Sequence, residues 1–257
     1  MNTQSSIRRA SAGRPSRSVL SDETHDAIRE MLLNHTIAPG EHINIDALSR
    51  ELEVSQTPVR EALARLESDD LVVKQPLRGY TATELLTVTQ LDDLFQFRLL
   101  IEPWSAEKAA TQSDHHGHEE LRAELERGAA VGALDMERAY AAMSEHDARF
   151  HELIARLSGS EFVRDAFVRT HCHLHLFRLY QAGQAQLEAA GKDSAFVDTL
   201  FSLYYQPTSG FLAFREHEGI AQAVLAGDAA SARTRMHDHI QSSRERFAPA
   251  MTVLNGH

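Results

Sequence analysis

Apolar residues return every third or fourth position along most of this chain, the mark of helices that bury one stripe. In a first helix, beginning at Ser21, Ile28, Met31 and Leu32 share one side and the signal fades by Thr36. Pro39-Gly40 signals a turn. Ile45, Leu48 and Leu52 give a second helix its single apolar face. Ser55 is placed to cap a third helix, and Pro58 falls in its first turn, where a missing N–H costs nothing. At 100° per residue, Val59, Ala62, Leu63 and Leu66 point to one side of that helix, and Gln56, Thr57, Arg60 and Ala64 to the other. Leu71-Val72-Val73 then reads as a strand, Pro76 to Gly79 as a turn, and Tyr80-Thr81-Ala82 as a return strand. This order is that of a winged helix-turn-helix, which lays its third helix in the DNA major groove.

From Thr87 onward strand signals vanish. Helical periodicity covers 91–110, 118–130, 135–157, 161–180, 195–205, 212–225 and 229–246. Breaks fall at Gly132, at Ser158-Gly159, from Gly183 to Gly191, from Pro207 to Gly210, and at Gly227-Asp228. The expected fold is mainly α: an N-terminal winged helix-turn-helix over 21–83, followed by an all-α antiparallel helical bundle over 84–257. The one long break, 182–192, reads as a mobile loop, and no internal repeat is visible.

The seams of these helices contain polar residues where apolar ones belong. In 135–157 the stripe runs Met136, Tyr140, Met143, Asp147, Phe150, Ile154, Leu157. In 212–225 it is Ala213, His217, Ile220, Val224; in the last helix Ala229, Ala232, Met236, His239; in the first of the bundle Leu91, Leu94, Arg98, Ile101. His151 lies one turn after Asp147 on the same face. A buried charge must be paired or bind a metal. Asp147, His151, His217 and His239 are therefore candidate ligands for a divalent transition metal, zinc first, with nickel, manganese and iron open to the same donors. A small organic acid could complete the coordination, with Arg98 as its counter-charge. The chain holds 15 His, so any one of them taken singly is an ordinary polar residue first.

The run from His171 to His175 falls inside a helical pattern whose packed seam is Val163, Phe167, Thr170, Leu174, Phe177. There His171 and His175 share a face, with Arg178 nearby, and His175 and Arg178 are candidate lining of an effector pocket. Cys172 has no base and acid arranged to make it a nucleophile, and Trp104, after Pro103, reads as packing.

Charge complicates the DNA reading. The net charge is −11, and residues 22–70 carry twelve acids against four Arg, whereas DNA affinity comes largely from neutralised phosphates. Placement answers the objection. The outward face of the third helix is free of acids and weighted to its N-terminal end, where base edges are read. Ser55, Gln56, Thr57 and Arg60 are its candidate contacts, with Arg65 on the flank and Lys74 and Arg78 on the wing. Residues 1–20, with Arg8, Arg9, Arg14 and Arg17, read as a disordered basic arm rather than a secretory signal, since no apolar core follows. The single Cys excludes an internal disulfide and suits a reducing cytoplasm. No apolar run approaches the roughly 20 residues needed to cross a bilayer, so no membrane partner is expected.

The stretch VSQTPVREALARLESDDLV, with Pro39-Gly40 before it and Arg78-Gly79-Tyr80 after it, resembles the signature of the GntR family of bacterial transcription regulators, commonly VSRTPVREALRRLEAEGLV. The resemblance implies DNA contacts at Thr57, Arg60 and Gly79. Gln56 stands where the family commonly has Arg, which implies a changed base preference, since Gln pairs with adenine and Arg with guanine. Asp70 stands where Gly is common. Arg98 to Glu102, Asp147 to His151, Glu216-His217 with Ile220, and Met236 to Ile240 are similar to the FCD ligand-binding domain of the FadR subfamily, whose metal-binding members imply the same four ligands. Together these imply a cytoplasmic, nucleoid-associated homodimeric regulator, a repressor by the commoner family behaviour, that binds a palindromic operator in double-stranded DNA and responds to a carboxylate effector. It is read as no enzyme. The alternatives are a metal-dependent enzyme using the same ligands, and a sensor of the metal ion alone.

Overall fold

The computed structural model describes residues 17–134, 136–189 and 212–254. The chain divides into two compact units between Glu84 and Leu85.

In the first unit, α1 (Arg17–Leu33) packs on α3 (Gln56–Ser68), with α2 (Ile45–Glu51) between them in sequence. Val59, Ala62, Leu63 and Leu66 are wholly buried, as the α3 stripe requires. Asn44 caps α2, its Oδ1 accepting from the backbone N–H of Asp46 and Ala47. Strands β1 (His42–Ile43), β2 (Val72–Gln75) and β3 (Gly79–Ala82) form an antiparallel sheet in the order β1-β3-β2, with His42 opposite Thr81 and Val72 opposite Ala82. The two residues of β1 are too few to show a period and were not expected. Helix α1 starts at Arg17, ahead of Ser21, so the end of the expected arm is helical; the rest of the arm lies outside the described residues. Ser55 holds the N-cap position, but its side chain makes no capping hydrogen bond. Asp70 adopts φ 56°, the left-handed region, which explains why glycine suits that position.

In the second unit α4 (Val88–Gln112) opens with a capping box between Thr87 and Gln90. It is followed by α5 (His115–Ala130), α6 (Met136–Leu157), α7 (Glu161–Val168), α8 (Cys172–Ala189), α9 (Leu212–Leu225) and α10 (Ala229–Leu254). Helix α4 lies against α10 and α6, and α10 against α9. Phe95, Leu121, Phe150, Ile154, Leu179, Ile220, Val224, Met236 and Ile240 form their shared core.

The structure departs from two expectations. The pattern over 161–180 is two helices: the chain breaks after α7, and His171 takes φ 43°. That break rotates the register, so Cys172, His173, Leu176 and Leu179 turn inward in place of Thr170, Leu174 and Phe177. The long loop expected from Ala182 is also helical as far as Ala189, Gly183 included. The helix expected over 195–205 and the break at Pro207 to Gly210 lie outside the described residues.

Candidate metal centre and nucleic-acid interface

Three helices of the second unit deliver the expected ligands to one point. One donor atom each from Asp147, His151, His217 and His239 lies within 4.8 Å of the others. His239 Nε2 is 3.1 Å from His151 Nε2 and 3.4 Å from His217 Nε2. Asp147 Oδ1 is 3.2 Å from His217 Nε2 and 3.9 Å from His151 Nε2. Around a first-row ion bound at about 2.1 Å, neighbouring donors stand about 3.0–3.4 Å apart and opposite donors of an octahedron about 4.2 Å; the pairs at 3.1–3.4 Å fit as they stand, and the wider ones would draw in or stand opposite each other. The histidines are buried and Asp147 is only partly exposed.

The outer nitrogens decide which way the inner ones face. His151 Nδ1 donates to Glu102 Oε2, and His239 Nδ1 donates to Glu216 Oε2 at 2.7 Å. His217 Nδ1 meets His146 Nε2 at 3.1 Å, and His146 Nδ1 donates to Glu124 Oε1 at 2.9 Å. Each ring thus spends its proton outward and presents a lone pair inward, the tautomer that metal ligation needs. Three imidazole nitrogens and a carboxylate facing one another in a buried space are the donor set that a divalent first-row ion takes. The residues present therefore fit a divalent metal.

Electrostatics agree. Burial pushes the His151 imidazole down to about 4, against the pull of Glu102. Burial likewise holds His217 well below its ordinary value and lowers His146, so these rings are neutral near pH 7. For Asp147 burial acts upward, but His173 and His217 outweigh it and keep the carboxyl well below the usual range. Glu216 is brought to about 2 because its hydrogen bonds from His239 and Arg246 overcome burial.

Arg98 lies beside the cluster, its Nη2 3.5 Å from His151 Nε2. Its charge already has a buried partner one turn along α4, Glu102, which sequence reasoning had not assigned. His175 and Arg178 are both buried on α8, and neither is among the four converging donors. His173 was missed: its Nδ1 donates to Asp147 Oδ2 at 2.7 Å, and its ring stacks on His151 with centroids 4.9 Å apart. The register break before α8 hid it. His146, Glu102, Glu124 and Glu216 were missed as well. The only signal for them was acids and a histidine sitting near the ligands on helices already known to bury a face.

In the first unit, Ser55, Gln56, Thr57 and Arg60 line the exposed face at the start of α3. Gln56 Nε2 donates to Asp46 Oδ1 at 2.5 Å, and Arg60 Nη2 donates to Gln56 Oε1 at 3.5 Å. Asp46, from α2, thus brings an acid to a face whose own helix has none. Arg65 pairs with Asp22 of α1 at 2.7 Å, which commits part of its charge within the unit. At the wing turn Arg78 is exposed and Gly79 adopts φ 87°, a conformation that side chains with a Cβ rarely take.

Residues 20–81 match the bacterial regulatory proteins of the gntR family, and residues 93–242 match the FCD domain. The chain belongs to the GntR family and carries an FCD domain. This GntR regulator is 26% identical over 158 residues to the HTH-type transcriptional regulator YdhC of Bacillus subtilis, covering 60% of this chain and 68% of that one. It is 37% identical over 82 residues to the Nta operon transcriptional regulator of Aminobacter aminovorans, 32% of this chain and 38% of that one. Its fold is similar to that of E. coli McbR/YncC, with TM-score 0.59 and 20% identity over 92% of this chain and 99% of that chain. A GntR regulator from Rhodococcus sp. RHA1 shares the fold at TM-score 0.55 and 19% identity, over 92% and 98% of the two chains. The family and these relatives are regulators of transcription, not enzymes. The GntR regulator is a DNA-binding protein, and no helix among its described residues is long and apolar enough to cross a membrane.

Proposed function

We propose that this regulator is a cytoplasmic repressor whose hold on its operator is set by a small carboxylate metabolite bound at a metal centre in the FCD domain. Residues 21–83 read the operator and residues 84–257 sense the effector. The reading rests on one observation above all: Asp147, His151, His217 and His239 converge, and the nitrogen of each ring that faces away from the centre has a hydrogen-bond partner of its own. Those four residues would hold the ion, zinc first, with nickel, manganese or iron admitted by the same donors. A divalent ion there supplies Lewis-acid coordination positions that a carboxylate oxygen can occupy. Arg98, beside His151, orients the acid, and His175 and Arg178 line the space around it. The effector shifts DNA affinity only as far as it binds the free and operator-bound states differently.

At the other end, Gln56, Thr57 and Arg60 read base edges, Ser55 and Gly79 approach the backbone, and Arg65 and Arg78 contact phosphates. A two-fold homodimer on a palindromic operator follows from recognition helices matched to half-sites about one turn apart.

Two measurements test these halves separately. His217→Ala is expected to lower metal content and to abolish stabilisation by any organic acid in a thermal-shift panel; unchanged metal stoichiometry would refute the centre. A parent protein that answers to metal but to no acid would point to a sensor of the ion itself. Arg60→Ala is expected to weaken operator binding by ~1–3 kcal/mol per half-site, read by fluorescence anisotropy, while the metal centre stays loaded. Undiminished sequence-specific binding would remove α3 as the reading helix.

A further inference from the structure

His217 differs from the other two histidines of the cluster. Behind His151 and His239 stands a carboxylate, Glu102 and Glu216 respectively. Behind His217 stands a second imidazole, His146, wholly buried, and behind that Glu124, nearly as buried. We propose that Glu124 and His146 form a positioning relay that sets the tautomer of His217, and through it the strength of the metal centre. The proposal rests on the metal reading above.

Glu124 is held as a carboxylate by Arg127, at 2.6 and 3.0 Å, and by Arg149 at 3.2 Å, so toward His146 it can only accept. His146 Nδ1 therefore carries the proton, and its Nε2 is left bare to accept from His217 Nδ1–H. The lone pair of His217 Nε2 then points at Asp147 and His239. In the opposite tautomer a bare His146 nitrogen would face a carboxylate, and His217 would turn an N–H into the centre and block it.

The packing is built around the His146 ring. A Cβ at Gly128 of α5 would stand 2.6 Å from His146 Cε1 and 2.7 Å from its Nδ1, so any side chain there would push the ring away. Phe150 and Phe214 flank it at centroid distances of 6.0 and 5.5 Å. Phe150 also stacks on His217 at 4.1 Å, so relay and ligand lean on the same ring. Arg127 and Arg149 reach the surface, and the chain from them through Glu124 and His146 links the outer face of α5 and α6 to the centre.

The test compares His146→Leu, His146→Gln and Glu124→Gln in the full chain. Zinc affinity is measured by competition with a chromophoric chelator, and the ligand field by the absorption spectrum of the cobalt(II) form. His146→Leu suits the apolar surroundings but can neither accept nor donate. It is expected to weaken zinc ~10–100-fold, the usual effect of losing an outer partner, and to alter the cobalt spectrum. His146→Gln can donate to Glu124 and accept from His217 through one amide, so it is expected to restore most of the affinity. Glu124→Gln leaves one amide oxygen, which Arg127 and Arg149 claim, and turns the NH2 toward His146, where it opposes the required tautomer; it is expected to lose affinity with little change in packing, and it carries the test if His146→Leu does not fold. Parental affinity in His146→Leu or in Glu124→Gln overturns the relay, as does a glutamine at 146 no better than leucine. A parent protein that binds neither zinc nor cobalt brings down the metal reading itself, and the relay with it.

Discussion

Glu102→Ala is expected to cost the FCD domain ~3–5 kcal/mol, the usual loss when one partner of a buried ion pair is removed. Arg98 and Glu102 are 1% and 2% exposed, so neither can turn to water. Burial alone would raise the Glu102 carboxyl, but Arg98 and His151 override it and hold the group below the usual carboxylate range. The same carboxylate takes the outward proton of His151. Its loss therefore strands a guanidinium and frees a ligand ring to change tautomer, and metal loading should fall together with stability. Trp104, the only tryptophan, stands on α4 near Glu102, so urea denaturation followed by its fluorescence reports on this domain. Glu102→Gln, which keeps the volume and one acceptor, should lose less. A loss below about 1 kcal/mol, the worth of an exposed pair, would show that the Arg98–Glu102 pair does not hold the domain together.

Removal of the proposed metal is expected to be the second large effect. A ligand that binds only the folded state stabilises it by about 4 kcal/mol at a thousandfold excess over its dissociation constant. For a domain of this size that corresponds to roughly 10 °C in the thermal midpoint. The apo centre leaves inward lone pairs of His151, His217 and His239 opposed at 3.1–3.4 Å beside the Asp147 carboxylate, which adds a repulsion that the loaded state lacks. Melting before and after dialysis against a strong chelator should separate the two states, and readdition of zinc should restore the first. Superimposable melts would mean that these side chains settle among themselves without an ion.

Much of this protein was legible from periodicity. The α3 stripe of Val59, Ala62, Leu63 and Leu66 is buried as its spacing dictates, because a 3.6-residue repeat leaves little choice of face. The helices 212–225 and 136–157 begin and end within a residue of where their patterns do. Polar residues inside those stripes pointed to Asp147, His217 and His239 for the same reason: a charge at a buried position needs a partner, and the sequence shows the position before it shows the partner.

Partners are what the sequence withheld. Glu102, Glu124, His146 and Glu216 come from four helices, and nothing in local spacing says that Glu124 lies behind His146 or that Glu216 holds His239. The register of α8 was hidden too, since a single left-handed residue at His171 resets the phase of that helix and brings His173 rather than His171 to Asp147. Asp46 reaches Gln56 only because α2 and α3 turn toward each other. The sequence by itself determined most of the helices and, outside α8, their buried faces, the family, and the positions where charge enters the core, because those follow from the chemistry of each residue and its near neighbours. Only the tertiary structure decided which carboxylate stands behind which imidazole, and so which nitrogen keeps its lone pair. That choice belongs to contacts between helices distant in the chain, where spacing along one helix carries no information.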